Sequence, residues 1–188
     1  MPREEFRFHP LTASRWKDLE TLFGPRGACA GCWCMWFRLP RSEWSKGKGA
    51  GNRRAFRRVV ERGPAPGILA YAGKEPVGWV AIAPRHEYAA LGRSRSLRPV
   101  DERPVWSVTC FYVAREWRRR GLNARLLDAA CAYAGRKGAT LVEGYPVDPK
   151  KDYPAAWAYV GLRSAFADAG FRVVARPSRS RMIMRREL

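Results

Sequence analysis

Alternating and helical spacings of apolar residues trade places along this chain in a recognisable order. EEFRFHP alternates polar and apolar positions and predicts a strand over 4–9. Trp16, Leu19 and Phe23 then fall on one face of a helix that ends near residue 23, with Thr12 or Ser14 as its cap. NRRAFRRVVERG reads as a basic amphipathic helix closed by Gly63. GILAYAGKEPVGWVAIAP predicts a hairpin: strand 67–72, a turn at Gly73-Lys74-Glu75-Pro76, and strand 77–83. Residues 84–104 form a long basic connection with a helical turn near Tyr88–Leu91. Strand 104–113, helix 122–137 and strand 139–145 follow, then the loop DPKKDYPAAW. YVGLRSAFADAG predicts a short helix stopped by Gly170, and FRVVARP and SRMIMRREL two closing strands. The order β-α-α-β-β-β-α-β-α-β-β describes an α/β fold with one mixed sheet of about six to seven strands flanked by helices. With 188 residues and no internal repeat, a single domain over 1–188 is expected.

Composition narrows the class. Hydrophobic residues make up 46% and charged residues 28%, as in folded soluble proteins. No apolar run approaches the ~20 residues of a membrane helix, and MPREEFRFHP has no apolar signal core, so a cytoplasmic protein with no membrane partner is expected. Thirty-six Lys and Arg against 17 Asp and Glu give a formal charge of +19. A field of this sign attracts phosphates and repels polycations. The five cysteines (29, 32, 34, 110 and 131) are odd in number, which argues against a disulfide framework.

REWRRRGLNARLL carries five arginines in thirteen residues, between the strand VWSVTCFYVA and a helix. A strand that turns through glycine into a helix presents unpaired N–H groups at the positive end of the helix dipole. Gly121 lets the backbone come close to a ligand, and the arginines add charge. Physics alone therefore predicts a phosphate or pyrophosphate site. The glycine-rich Walker and dinucleotide patterns are both absent.

Arg118-Arg119-Arg120-Gly121-Leu122-Asn123 resembles the signature of the GCN5-related N-acetyltransferases (GNAT), Arg/Gln-x-x-Gly-x-Gly/Ala. FYVAREW before it, ARLLDAA after it, the late AFADAGFRVV and the element order over nearly the whole chain agree. The resemblance implies acetyl-CoA as cofactor and transfer of an acetyl group to a primary amine by direct attack on the thioester. It implies that the backbone of Arg119, Arg120, Gly121, Leu122, Asn123 and Ala124, with Arg118 opening the motif, holds the pyrophosphate. Phe111 and Val113, flanking Tyr112, would bond the pantetheine arm where this strand splays from strand 139–145. Asn123 departs from the usual Gly or Ala but keeps its N–H.

Acetyl transfer needs a neutral amine near the thioester, a path for its proton and a donor for the leaving thiolate. Some relatives carry a Glu four residues before the Phe111 position, and many a Tyr four residues before the Gly-Phe pair of the late helix; here these are Ser107 and Phe166. Glu143, mid-strand in TLVEGYP, is the substitute base, or else it points to a basic neighbour. Ser164 and Tyr159 are candidates to reach the sulfur, and Cys110 reads as a buried small hydrophobe.

CAGCWCMWF is the most unusual stretch. Cys29, Cys32 and Cys34 begin a metal-like pattern that no nearby His or fourth Cys completes, so no metal is expected. Trp33, Trp36 and Phe37 are expected to wall the acceptor side of the cleft, with core packing as the alternative. The aromatic density favours a small-molecule amine acceptor, while the charge disfavours polyamines. Acceptors carried on RNA or protein remain alternatives. NRRAFRRVV and GRSRSLR allow nucleic-acid binding but accompany no base-reading module. An acetyl-CoA-binding protein without catalysis is a third possibility. A homodimer would be ordinary for the resemblance.

Overall fold

The computed structural model describes residues 5–149, 155–179 and 181–188, with the backbone alone at 155–157. Its seven strands are β1 (Phe6–Pro10), β2 (Gly67–Ala72), β3 (Glu75–Pro84), β4 (Trp106–Val113), β5 (Leu141–Gly144), β6 (Arg172–Ala175) and β7 (Ile183–Glu187). They form one sheet in the order β1-β2-β3-β4-β5-β7-β6. Every pairing is antiparallel except β4 with β5. Among the helices, α1 (Trp16–Phe23), α2 (Arg41–Lys46) and α3 (Ala50–Arg62) precede β2. Later come α4 (Ala89–Arg93), α5 (Leu122–Arg136) and α6 (Arg163–Asp168).

Two helical layers explain why β3 is apolar throughout. Val77 to Ala83 are all buried, as expected for a central strand covered on both faces. On one face α5 turns Leu122, Leu126, Ala130, Tyr133 and Ala134 inward, a 3–4 residue spacing that meets Val80, Ile82 and Val108. It sits close at Gly78, where an added Cβ would lie 3.0 Å from Leu122. On the other face Trp16, Leu19 and Phe23 of α1 and Phe56 and Val60 of α3 pack on Leu69, Trp79 and Ala81. The arginines of α3 stay outside, since Phe56 and Val60 form a one-sided i,i+4 stripe.

The expected order of long elements is present, with shifted ends. The hairpin turn is tighter than the sequence suggests: Ala72 pairs directly with Glu75, so Gly73-Lys74 alone turns the chain, with Gly73 at φ 58°. β4 starts at Trp106 and not at residue 104, where Pro104 has no N–H to give a ladder. The irregular stretch before α3 contains α2, and the late helix is confined to Arg163–Asp168. There Gly161, at φ 91°, breaks the helical path. Its carbonyl accepts from the Val147 N–H, and Val147 in turn accepts from the Arg163 N–H. The expected start of β1 at residue 4 and residues 150–154 of the 148–157 loop lie outside the described residues.

Candidate active site

β4 and β5 run together for three registers only: Trp106 with Val142, Ser107 with Glu143 and Val108 with Gly144. Beyond Val108, β4 continues to Val113 paired to β3 but not to β5. Two local features part the strands. A bulge places Thr109 between the pairs Ile82–Val108 and Ala81–Cys110, which bends and twists β4. β5 ends at Gly144, and Pro146 soon after has no N–H to continue a ladder. The Phe166 ring of α6 fills the place where a Gly144 Cβ would stand, only 2.1 Å away, and packs edge-on to Phe111 at 5.9 Å. A slot therefore opens beside Thr109 to Val113, with free backbone on the β4 side.

The arginine turn stands at the end of that strand. After β4 a short 3-10 turn leads to Arg119 at φ 61° and Gly121 at φ 71°, ψ 8°, from which α5 starts. Among the described residues, the N–H groups of 119 and 121–124 donate to no backbone carbonyl outside the helix ladder, which Arg125 enters by bonding Gly121 at 3.5 Å. Nothing lies within 4 Å of a Cβ added at Gly121, so the cradle is open. Arg118 Nε caps the Val113 carbonyl at 3.0 Å, and the Arg120 guanidinium stacks 4.9 Å over Trp117. Asn123 Oδ1 is buried without a partner. N–H groups at the start of α5, an open glycine and a strand edge not paired to β5 suit a pyrophosphate followed by an amide-bearing arm.

Below the slot lies a buried ionic network. Glu143 has no exposed surface. Its Oε1 accepts from Arg85 Nη1 at 2.8 Å and from the Tyr145 hydroxyl at 2.7 Å, and its Oε2 from Arg185 Nε at 2.7 Å. The Tyr145 hydroxyl also meets Ser107 Oγ at 2.8 Å. Burial, and then the Glu143 charge, push the Tyr145 phenol up, so it stays protonated. Arg185 extends to Asp101 at 2.6 Å and holds that carboxyl below the usual carboxylate range. Arg85 also reaches the Leu97 carbonyl. Glu143 is thus a carboxylate whose two oxygens are committed to guanidinium groups, the second of the two readings the sequence allowed.

The aromatic loop is mostly core. Trp33 is buried, stacked on Trp16 at 6.0 Å and packed on Phe23 at 5.6 Å, so it is core and not acceptor wall. The chain wraps it: an added Cβ at Gly27 would lie 2.2 Å from its ring nitrogen. Trp36 is half-buried and meets Trp44 edge-on at 4.7 Å. Phe37 is buried in a third apolar cluster with Tyr88, Leu91, Leu97, Tyr145, Val147 and Val160, 6.4 Å from Tyr159. Cys34 accepts from Trp79 Nε1 at 3.1 Å, and its thiol together with burial pushes Cys110 well up. Among the described residues no three His, Cys, Asp or Glu side chains are placed to hold a metal ion. Ser164 is exposed and lines an open groove of about 510 Å³ with Asp148, Pro149 and Asp168.

Arg85, Tyr145 and Arg185 were not singled out by the sequence. Glu143 and Tyr145, two apart on a strand, share a face, and that spacing was the available sign. The cross-strand partner Arg185 depends on the β5–β7 register, which no local pattern fixes.

Among the described residues, a seven-stranded sheet splays at the parallel β4–β5 pair, and an arginine-glycine turn opens the next helix, a scaffold suited to an extended phosphate-bearing cofactor. The model described as "Acetyltransferase (GNAT) family" matches residues 33–157, and the chain belongs to that family. Members are acetyltransferases and use acetyl-CoA. Among solved structures, an N-acetyltransferase, PaiA, from Thermoplasma acidophilum in complex with coenzyme A is 12% identical. It superposes with a TM-score of 0.55 over 98% of this chain and 99% of its own. An acetyltransferase from Thermus thermophilus is 17% identical, with TM-score 0.54 and 100% of both chains covered. The ribosomal-protein-S5-alanine acetyltransferase from Vibrio fischeri is 10% identical, with TM-score 0.56 over 100% of this chain and 95% of its own. At such identities the likeness is one of fold. No curated protein matches the sequence significantly.

Proposed function

We propose that this protein transfers the acetyl group of acetyl-CoA to a primary amine of a small molecule, by direct attack of the amine on the thioester. The observation that carries the reading is the coincidence of the splayed β4 edge with the N–H cradle at 119–124. The N–H groups from Arg119 to Ala124 would hold the pyrophosphate at the start of α5, with Arg118 and its neighbours supplying charge. The backbone of Phe111 and the Val113 N–H would bond the pantetheine arm, the Val113 carbonyl being taken by Arg118, and Tyr112 turns to the other face to pack on Phe23. Acetyl-CoA supplies an activated acyl group. The chain supplies orientation.

On this reading Glu143 is not the base. It fixes Arg85, Tyr145 and Ser107 beneath the slot, and the amine loses its proton to water. Tyr159, bordering Phe37, is better placed for the leaving sulfur than the exposed Ser164. Phe37 is buried like Trp33, so the half-buried Trp36 carries the proposed apolar acceptor subsite, which favours a small amine over an RNA-borne or protein-borne one. Among the described residues no helix is long and apolar enough to cross a membrane, in keeping with a cytoplasmic site of action.

The test is calorimetric titration with acetyl-CoA at physiological salt, for the wild type and Gly121→Glu. Micromolar binding that the substitution abolishes, followed by thiol release in a screen of small primary amines, is the expected result. Absence of binding by the wild type sinks the reading.

A further inference from the structure

Tyr88 is the side chain that the family signature does not explain. It follows β3 and precedes α4, and only 1% of it is exposed. Its hydroxyl is buried without a hydrogen-bond partner among the described residues. Thr109 is the polar group beside it, but the two do not close a bond of normal geometry. Buried polar groups are ordinarily paired, and an unpaired hydroxyl weakens the fold. Phenylalanine would fill the same space without that cost.

The place of this hydroxyl is informative. Thr109 is the bulge residue and the first position of β4 beyond the last β4–β5 pair, so it stands at the inner end of the slot. Cys34 and Cys110 are near enough to act electrostatically on the Tyr88 phenol. Its ring belongs to the cluster that holds Tyr145, Val147 and Val160, which follow β5 on the other side of the slot. Tyr88 thus lies where the two diverging strands are bridged. Its ring is clamped, with the Arg38 guanidinium 4.7 Å above it. Arg38 is itself tied to Glu87 at 3.1 Å, and the Ala90 N–H bonds the Phe37 carbonyl at 3.0 Å. Burial pushes the phenol up, which keeps it a donor. An oriented donor in a dry apolar site, costing no reorganisation, is the arrangement that stabilises a developing oxyanion.

We propose that the Tyr88 hydroxyl donates a hydrogen bond to the carbonyl oxygen of the acetyl thioester and stabilises the oxyanion formed when the amine adds. In that step the nitrogen lone pair forms the new C–N bond and the carbonyl π pair moves to oxygen. On collapse the oxyanion pair re-forms the carbonyl, the C–S bond breaks and its pair leaves with sulfur, and the proton lost from nitrogen passes through water to the thiolate. Tyr88 keeps its proton throughout. The inference rests on the acetyl-CoA reading above and adds a named donor to it.

The experiment uses the full chain, acetyl-CoA labelled with 13C at the carbonyl, and Tyr88→Phe. Isotope-edited infrared spectra record the carbonyl band of the bound thioester, beside calorimetry and thermal unfolding of each protein. The expected result is a band at lower frequency in the wild type than in Tyr88→Phe. Acetyl-CoA affinity should lie within about twofold, because the other contacts persist. The variant should melt at the same temperature or higher, because the lost hydroxyl had no partner. With an amine found in the screen, kcat should fall by about 10²-fold while KM changes little. Identical carbonyl bands in two proteins that both bind acetyl-CoA overturn this inference and leave the acetyltransferase reading standing. No binding by the wild type overturns both. A lower melting temperature for Tyr88→Phe with an unchanged band shows a structural hydroxyl and also overturns it.

Discussion

Ser107 on β4 and Glu143 on β5 face each other in the parallel ladder, and the Tyr145 hydroxyl ties them, 2.8 Å from one and 2.7 Å from the other. Some relatives place a carboxylate at the Ser107 position. Here the carboxylate stands one strand over and is held by Arg85 and Arg185. Replacing it by Gln keeps the shape but leaves two buried guanidinium groups short of their counter-charge. Glu143→Gln should lose about 3–5 kcal/mol of stability. Thermal unfolding should fall by roughly 10 °C. A melting temperature within a degree or two of the wild type would show the network to be dispensable.

Asn123 offers a change in the opposite direction. Its Oδ1 is buried without a partner in the first turn of α5. Asn123→Ala removes that atom, improves helix propensity and leaves the backbone N–H in place. We expect a stabilisation of about 1 kcal/mol, read by urea denaturation, with acetyl-CoA affinity unchanged by calorimetry. A large loss of affinity would mean that the amide side chain itself meets the ligand.

Trp33 and Trp36 should separate cleanly. Trp33→Ala empties a core site between Trp16 and Phe23 and should cost about 3–5 kcal/mol. Trp36→Ala, at a half-buried position, should cost far less and should raise the KM for the amine while that for acetyl-CoA holds. Equal effects of the two on stability would place both in the core.

Cys131 predicts an alkaline limb. Burial pushes its thiol up to about 12 from the ordinary 9.0. The unfolded chain therefore releases this proton before the folded one does. The stabilisation is complete below pH 9 and is lost as pH rises towards 12, at up to ~1.4 kcal/mol per pH unit. Denaturation midpoints of the wild type should decline more steeply over that window than those of Cys131→Ala. Parallel slopes would contradict the assignment.

Much of the scaffold was legible in the chain because local pattern dictates it. The 3–4 spacing of Leu122, Leu126 and Ala130 reflects one buried face, and the unbroken apolar run of β3 reflects two. The backbone shape of the turn into α5 was legible too, since glycine after a strand and before a helix leaves few conformations. The role of Glu143 was not legible. An acid in an apolar strand looks like a poised base until Arg85 and Arg185 arrive, one 58 and the other 42 residues away. Trp33 was misread for a related reason. Its place follows from a loop in which Ala28, Ala30, Trp33 and Cys34 all take positive φ, a path no periodicity announces. The unpartnered hydroxyl of Tyr88 is likewise a property of packing alone.

The short β4–β5 ladder has a mechanical consequence. Three rungs join a leaf of four strands to a leaf of three, and ion pairs pin the same seam: Arg85 to Glu143, Asp101 to Arg185 and Arg103 to Glu187. A molecule seated past the third rung would act as a spacer that prolongs the seam. Occupancy would then be felt as stiffness between the leaves, far from any atom the ligand touches.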